Sequence, residues 1–440
     1  MTITSDLPDA AIGRPARSGG RDVPDGLRAA FVVAVLLLVW VRLDPFHDLS
    51  SVSNIEASDG GSLATQVAFS LVGIAVAALF RRLGPGSLQA LATRPYILAA
   101  GWMAVSVLLS VSPALSLRRA VLLAIAILAS AAIMLAARSV RHFADLLAGT
   151  ALAVVVVSYL SLALVPDLAM HTALDLREPE HAGAWRGPFS HKNEAGAVMA
   201  VFVVIGLFAF AQGRRALGGT LAALAAIFLA FTASKTAIAL LPLVLLGTSL
   251  CRMVTGLFGR ALILLGPLAL LLTISLGSLF FPPVKAVVST ILSDVTFTGR
   301  AEIWDFTVDR ILARPVTGWG YGAFWKTEAT LYGGSEQLTW VNQADQAHNG
   351  YLDTALFMGL PGLALTALVF IWLPLRDFDR ASSHAAPDPT AMLFARLWLF
   401  GISTAAFESV FYDANSAVFF MFAMAVLGLR YLAAHGTTGP

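Results

Sequence analysis

Residues 27–43 read LRAAFVVAVLLLVWVRL, an apolar run in which only Arg28 and Arg42 carry charge. At about 1.5 Å per residue, a helix of this length approaches the ~30 Å of a bilayer's hydrocarbon core. The run is long for the core of a signal peptide, and no convincing small-residue cleavage site follows it. The stretch therefore predicts a retained transmembrane helix.

Further apolar runs of comparable length follow along the chain, and they alternate with short polar segments. Runs of this kind predict membrane spans. The fold class expected is an all-α polytopic membrane protein with about twelve transmembrane helices. Beyond the first span, the runs begin near Leu63, Pro95, Leu117, Leu146, Ala195, Leu217, Thr236, Ala261, Tyr351, Met392 and Ser416.

The composition excludes several classes of protein. Of 440 residues, 58% are hydrophobic and 13% are charged, and the mean hydropathy is +0.77. A soluble domain cannot cover that much apolar surface, which argues against a cytosolic enzyme and a disordered protein. The single cysteine, Cys251, excludes a disulfide scaffold. A net charge of +2 gives no reason to expect a nucleic-acid partner.

The polar segments suggest how the chain is organised. Residues 1–26 are expected to form a disordered cytoplasmic tail, residues 27–433 the membrane domain, and residues 434–440 a second cytoplasmic tail. Lys and Arg concentrate in the segments that would share a side with the N-terminus, which predicts that both termini are cytoplasmic. Two long loops, 166–192 and 282–350, then lie on the opposite, periplasmic side.

The longer loop contains a helical pattern. Residues 300–313, RAEIWDFTVDRILA, place apolar residues on one helical stripe, and Pro315 follows as a stop signal. We expect an amphipathic helix that lies on the bilayer surface or caps the bundle. The stripe comprises Ile303, Trp304, Val308, Ile311 and Leu312.

Both loops carry basic clusters. Arg300 starts the predicted helix directly after Gly299, and residues 185–193, WRGPFSHKN, hold Arg186 and Lys192. Arginine grips phosphate through a planar fork, and a helix N-terminus favours anions. Two cationic clusters on one side of the membrane suggest a diphosphate site. The simpler alternative is ordinary positive charge beside lipid headgroups.

Other residues could supply chemistry or contacts. His348, in QAHNGY at 346–351, could act as a general base at neutral pH, although a histidine at a helix start is more often structural. The tryptophans of the long loop, Trp304 among them, suit either sugars or the membrane interface. Ionisable residues near span ends are candidates for function as well; they are Glu194, Lys235, Asp353 and Glu408.

Familiar cofactor and metal motifs are missing from the sequence. It has no HExxH, no P-loop, no GxGxxG before a strand and no nucleophile elbow. A metal site is not expected, and His181 with His191 is only a weak possibility for one.

In combination, several short motifs resemble those of the O-antigen ligase and polymerase superfamily. GRAEIW at 299–304 is followed in the family's order by RP at 314–315, GWG at 318–320, AHNGYL at 347–352 and GLPG at 359–362. RGPFSHKN at 186–193 and TASK at 232–235 are similar to two earlier family elements. The His-Lys-Asn form of the first looks most like the exopolysaccharide polymerase branch.

The resemblance implies an integral-membrane glycosyltransferase of the GT-C type. Such enzymes use sugar chains on undecaprenyl diphosphate at the periplasmic face of the inner membrane, with no cofactor and no metal. Carried over by motif, Arg186 and Arg300 would bind the diphosphate, and His348 would activate the acceptor hydroxyl. The expected substrate-binding residues are Lys192, Asn193, His191, Lys235, Trp304 and Asn349.

Four functional readings stay open at this point. The leading one is polymerisation of lipid-linked repeat units, assisted by a flippase and a chain-length regulator. Its chemical neighbour is ligation of a finished glycan to lipid A-core. A twelve-span transporter and a non-catalytic partner of polysaccharide assembly are the alternatives from other classes.

Overall fold

The computed structural model describes residues 24–50, 63–83, 93–176, 178–291, 299–327, 344–382 and 388–435. The predicted N-terminal tail, 1–26, lies almost wholly outside the described residues, and so do positions 436–440 of the predicted C-terminal tail. The domain bounds inferred from sequence therefore stay predictions.

The described residues are overwhelmingly helical. The helices up to the first long loop are α1 (Asp25–Val41), α2 (Leu63–Leu83), α3 (Arg94–Leu108), α4 (Pro113–Ala136), α5 (Val140–Leu164) and the short α6 (Pro166–Ala169). Those between the two long loops are α7 (Lys192–Ala211), α8 (Arg215–Phe231), α9 (Lys235–Leu250) and α10 (Leu257–Ser275). The rest are α11 (Gly277–Phe280), α12 (Pro282–Ile291), α13 (Arg300–Ala313), α14 (Gly350–Ala367), α15 (Leu373–Ala381), α16 (Pro389–Thr404) and α17 (Ala417–His435).

The helices confirm an all-α polytopic membrane protein. Within the described residues, seven helical stretches are long and apolar enough to cross a membrane: Leu63–Arg82, Pro113–Ala136, Val140–Leu164, Lys192–Ala211, Leu257–Phe280, Gly350–Ala381 and Ala417–His435. Every apolar run predicted from sequence contains a helix. Five of these helices, α1, α3, α8, α9 and α16, are only 15 to 17 residues long. The total of twelve spans therefore stays a prediction.

Helix α7 lies at the centre of the bundle and α2 at its edge. In α7, 78% of the apolar window is buried, against 11% in α2. Small residues let α7 and α8 approach closely, because a Cβ on Gly206 would lie 2.8 Å from the Gly218 carbonyl oxygen. The central helix carries Lys192 and Asn193 at its N-terminus, so the core fixes the position of these two side chains.

Helix α14 is broken at Gly359, which has φ 69° and ψ −178°. The residues after α13 fill the break. The Trp319 N–H donates to the Leu356 carbonyl at 2.9 Å, and the Leu360 N–H donates to the Pro315 carbonyl at 2.7 Å. A Cβ at Gly359 would overlap the Val316 carbonyl oxygen. The GWG and GLPG motifs thus form one interlocked backbone joint, which requires glycine at position 359.

The predicted helix at 300–313 is confirmed with its bounds. Its buried face is Ile303, Trp304, Phe306, Thr307 and Ile311. The prediction for Leu312 was wrong, since that side chain is 66% exposed. Phe306 and Thr307 take its place because α13 turns its face toward α14 and the segment 319–325. The helix therefore packs on the end of the bundle.

Candidate functional site

One end of the bundle gathers the segments that follow α1, α5, α8, α13 and α16. Arg42 forms a 2.8 Å ion pair with Glu194. The Arg186 guanidinium donates to the His47 carbonyl at 2.7 Å, and the Tyr321 hydroxyl donates to the Tyr412 carbonyl at 2.6 Å. The basic clusters of the two long loops consequently meet at the same end of the molecule. We call it the loop end.

Arg300 is held at the start of α13 by a left-handed glycine. Gly299, with φ 81°, precedes the helix. The Arg300 Nη2 donates to Glu408 Oε1 at 2.9 Å, and its Nη1 donates to the Phe407 carbonyl at 2.6 Å. The side chain is 17% exposed. In the part of the chain that the structure describes, these bonds use two of the five N–H donors of the guanidinium.

His348 faces the same carboxylate from the other side. Its Nδ1 lies 3.3 Å from Glu408 Oε2, and 30% of the side chain is exposed. Its backbone has φ 49°, in the left-handed region that non-glycine residues rarely adopt. Among the described residues, Nε2 has no hydrogen-bond partner. The imidazole thus presents one nitrogen to Glu408 and leaves the other for a substrate.

The residues around His348 hold it in this conformation. The Asn349 side chain caps α14 by accepting from the Tyr351 and Leu352 N–H groups, and it donates to the Ala406 carbonyl at 3.0 Å. The Trp304 Nε1 donates to the Ala347 carbonyl at 2.9 Å. Both Asn349 and Trp304 are fully buried. They position the histidine.

The buried carboxylate of Asp353 also holds the turn that contains His348. The Asp353 Oδ2 accepts from the Ala347 N–H at 3.1 Å, and its Oδ1 accepts from Trp325 Nε1 at 2.7 Å. The Ser409 hydroxyl also donates to Asp353. Asp353 therefore ties the residue before His348 to the residue after Glu408, and the site is preorganised.

Glu408 is the residue on which the site converges. Burial works to raise the pKa of its carboxyl, but Arg300 and His348 outweigh that effect and hold the pKa at about 2. Asn193, at the start of α7, donates to Glu408 Oε1 at 3.4 Å. From the sequence, Glu408 was only one of several ionisable residues near span ends. Nothing in the spacing of the motifs connects it with Arg300 or His348.

Arg186 is placed differently from the sequence prediction. Its side chain is fully buried, and it donates to the carbonyls of His47, Phe189 and Met170. It therefore has no exposed surface to offer a diphosphate, and its contacts pin the 166–192 loop to the segment after α1. The expectation of a shared site with Arg300 is at odds with this burial.

Lys192 and Lys235 form a basic group separate from Arg300. Lys192 starts α7, and Lys235 starts α9 with an exposed side chain. Their charges are close enough to interact. Since Asn193 contacts Glu408, the N-terminus of α7 connects the lysines with the Arg300–Glu408–His348 cluster. This arrangement suits an extended anion.

Three aromatic residues in the described part of the long loop are buried. Trp304, Tyr321 and Trp325 are each at most 5% exposed, and they pack in the interior at the loop end. Trp304 is predicted from the sequence to contact substrate; its side chain is fully buried, and its Nε1 donates to the Ala347 carbonyl. Trp340 and Tyr332 lie outside the described residues.

A histidine cluster lies on the other side of Lys192. The His171 Nδ1 bonds Asp175 at 2.7 Å, and burial lowers the pKa of His171 to about 4. The His191 Nε2 bonds Glu178 at 2.7 Å, and this bond lowers the pKa of Glu178 to about 2 against the effect of burial. His181 lies 3.8 Å from Glu178. Sequence spacing gave little reason to expect this cluster.

Comparison with known proteins adds a family match. A family model described as O-antigen ligase matches residues 199–367. The matched region contains Lys235, Arg300, Trp304, His348 and Asn349. Arg186, His191, Lys192, Asn193 and Glu408 lie outside it. No curated protein and no solved structure matches the chain.

Proposed function

We propose, from the match of residues 199–367 to a family model described as O-antigen ligase, that this chain polymerises oligosaccharide repeat units carried on undecaprenyl diphosphate. The family match and the seven candidate spans indicate a multi-pass membrane enzyme of the ligase or polymerase type, acting on lipid-linked oligosaccharides. The observation that supports a catalytic role is the Arg300–Glu408–His348 cluster at the loop end.

In the proposed reaction His348 is the general base. The protonated Nδ1 of His348 donates a hydrogen bond to Glu408. The unprotonated Nε2 is then the atom that accepts the proton of a sugar hydroxyl. The deprotonated oxygen attacks the anomeric carbon of the donor while the bond from that carbon to the diphosphate oxygen breaks. A single displacement inverts the anomeric configuration.

Arg300 neutralises the charge of the leaving diphosphate. A diphosphate departs as a stabilised anion, so the step needs charge neutralisation more than a proton donor. Arginine stays protonated and binds two phosphate oxygens with its fork. Lys192 and Lys235 extend the positive surface. This chemistry requires no metal ion, because the cations are side chains.

The placement of charge also argues against a transporter. Transporters hold substrate near the membrane midplane, between related halves. The polar cluster here lies at one end of the bundle, in segments between helices. We propose that this end faces the periplasm, that the membrane is the inner membrane, and that both termini are cytoplasmic. A flippase would deliver the donor, and a chain-length regulator would set the product length.

Ligation of a finished glycan to lipid A-core is the second candidate function, and the match to a family described as O-antigen ligase favours it. The two reactions share the donor and differ in the acceptor. The His-Lys-Asn sequence at 191–193, similar to the exopolysaccharide polymerase branch, favours polymerisation.

Deletion of the gene separates the two reactions. Loss of a polymerase leaves single repeat units on the lipid carrier, whereas loss of a ligase leaves long chains on it. Complementation with wild type should restore polymer, and complementation with Arg300→Ala should not. Long carrier-linked chains in the deletion strain would assign the chain to ligation, and an unchanged glycan profile would remove both assignments.

A further inference from the structure

The side-chain cluster before α7 contains three groups that commonly bind metal ions. Glu178, His181 and His191 each offer one ligand atom, and these atoms all lie within 4.8 Å of one another. All three side chains are partly exposed, at 44%, 23% and 29%, so an ion can reach them from water. Nothing in the proposed glycosyl transfer uses this cluster.

The geometry is close to that of a tetrahedral zinc site. With metal–ligand bonds of about 2.0–2.1 Å, ligand atoms around zinc are about 3.4 Å apart. His191 Nε2 and Glu178 Oε2 are now 2.7 Å apart, and His181 Nε2 lies 3.8 Å from Glu178 Oε1. Shifts of about 1 Å in surface side chains would bring the three atoms to that spacing.

His171 is not a fourth ligand, although its ring lies 5.0 Å from His191 and 5.9 Å from His181. Both of its nitrogens are already used. Nδ1 bonds Asp175, and Nε2 accepts the Lys192 N–H at 3.2 Å. A site built by Glu178, His181 and His191 therefore has three protein ligands and leaves a fourth position for water.

His191 must change its tautomer to bind the ion. Its Nδ1 accepts the Asn193 N–H at 3.1 Å, so the ring proton is on Nε2, facing Glu178. An ion on Nε2 displaces that proton to Nδ1, which ends the bond with the Asn193 N–H. The ring stays neutral, and no net proton is released by this residue. The lost bond is the one by which His191, the N-cap residue, caps the start of α7 at Lys192.

We propose that Glu178, His181 and His191 bind one zinc ion, which fastens the 166–192 loop to the N-terminus of α7. Two imidazoles and a carboxylate suit zinc, whereas magnesium and calcium prefer oxygen ligands alone. The ion would lie beside Lys192 and Asn193, and Asn193 contacts Glu408. Zinc would thereby influence the site through the end of α7 and take no part in the bond changes.

Direct metal binding tests the inference independently of the transfer reaction. Untagged protein is stripped with chelator in detergent, titrated calorimetrically with zinc, and analysed for bound metal after dialysis. Wild type should bind one zinc per chain and no magnesium. Glu178→Gln and His181→Ala should each weaken binding by more than the roughly 10–100-fold that the loss of an outer-shell partner costs.

His142→Ala is the matched control, because His142 lies in the first turn of α5, at the opposite end of a 25-residue helix from the loop. It should bind zinc as wild type does. Absence of stoichiometric zinc in wild type overturns the inference. Wild-type affinity in both Glu178→Gln and His181→Ala overturns it as well, because the ion would then lie elsewhere.

Discussion

At the scale of single residues, the site depends on a shared carboxylate. Glu408 accepts hydrogen bonds from Arg300 and Asn193 and faces His348 Nδ1. The anion both orients the imidazole and balances the positive charge around it. Removal of the carboxylate should therefore slow the reaction without removing the base.

Glu408→Gln should lower the rate of transfer, because the His348 Nδ1 and the Arg300 guanidinium lose the carboxylate that orients both of them. The loss should be smaller than the roughly 10²–10⁴-fold expected for His348→Ala, since the imidazole itself remains. Initial rates of transfer by folded, purified variants measure both losses. A wild-type rate in Glu408→Gln would remove the positioning role.

The same carboxylate contributes to the acid stability of the fold. Its pKa in the folded protein, about 2, lies below the ordinary value of 4.5. The folded state is therefore stabilised above about pH 4.5, and this contribution is lost as the pH falls toward 2.

Arg186→Ala should lower stability first, and any loss of activity should follow from that. The substitution leaves the His47, Phe189 and Met170 carbonyls without their donor in a buried place. We expect a loss of about 3 kcal/mol or more in the free energy of unfolding. Thermal unfolding in detergent measures it, with the exposed Arg215→Ala as control. An unchanged melting temperature with abolished transfer would return Arg186 to direct diphosphate binding.

Local sequence motifs made some residues of the site predictable and left others hidden. Arg300 and His348 belong to motifs with local spacing, and the fold does bring them to one carboxylate. Glu408 lies 60 positions beyond His348, so its partnership depends on tertiary packing. The burial of Arg186 was equally hidden, because a charged side chain in a loop suggests exposure.

At the scale of elements, the important joint is between the segment after α13 and the break in α14. Helical periodicity predicted α13 with its bounds, since its apolar face repeats over 14 residues. The break in α14 has no periodic signal. GLPG was visible in the sequence, but its purpose appears only once the 315–320 segment packs into it.

Gly359→Ala should destabilise the protein markedly. A non-glycine residue at φ 69° and ψ −178° costs about 1–3 kcal/mol, and the added methyl would overlap the Val316 carbonyl. We expect a lower melting temperature together with reduced transfer, because α13 packs against α14 and the His348 turn directly precedes α14. Gly149→Ala is the control, since open space surrounds that position in α5. Equal melting temperatures for the two variants would show that the break is not strained.

At the scale of the whole molecule, apolar run length predicted the membrane class and the position of the helices. It could not fix the number of spans, because helices of 15 to 17 residues are close to the limit for crossing. Orientation likewise depends on the Lys and Arg asymmetry alone.

Labelling of single introduced cysteines tests the orientation. Ala182→Cys, exposed in the 166–192 loop, should react with a membrane-impermeant maleimide in intact spheroplasts. Ala216→Cys, exposed in the first turn of α8, should react only after permeabilisation. The native Cys251 is fully buried and gives a low background. The reverse pattern would place the loop end in the cytoplasm.

Transfer by purified protein from a defined undecaprenyl-diphosphate oligosaccharide tests directly whether His348 and Arg300 carry the reaction. We expect a ladder of products with inverted anomeric configuration from wild type, and no ladder from His348→Ala or Arg300→Ala protein that is folded and monodisperse. A ladder formed at the wild-type rate by either variant, or retained configuration in the product, would contradict this expectation.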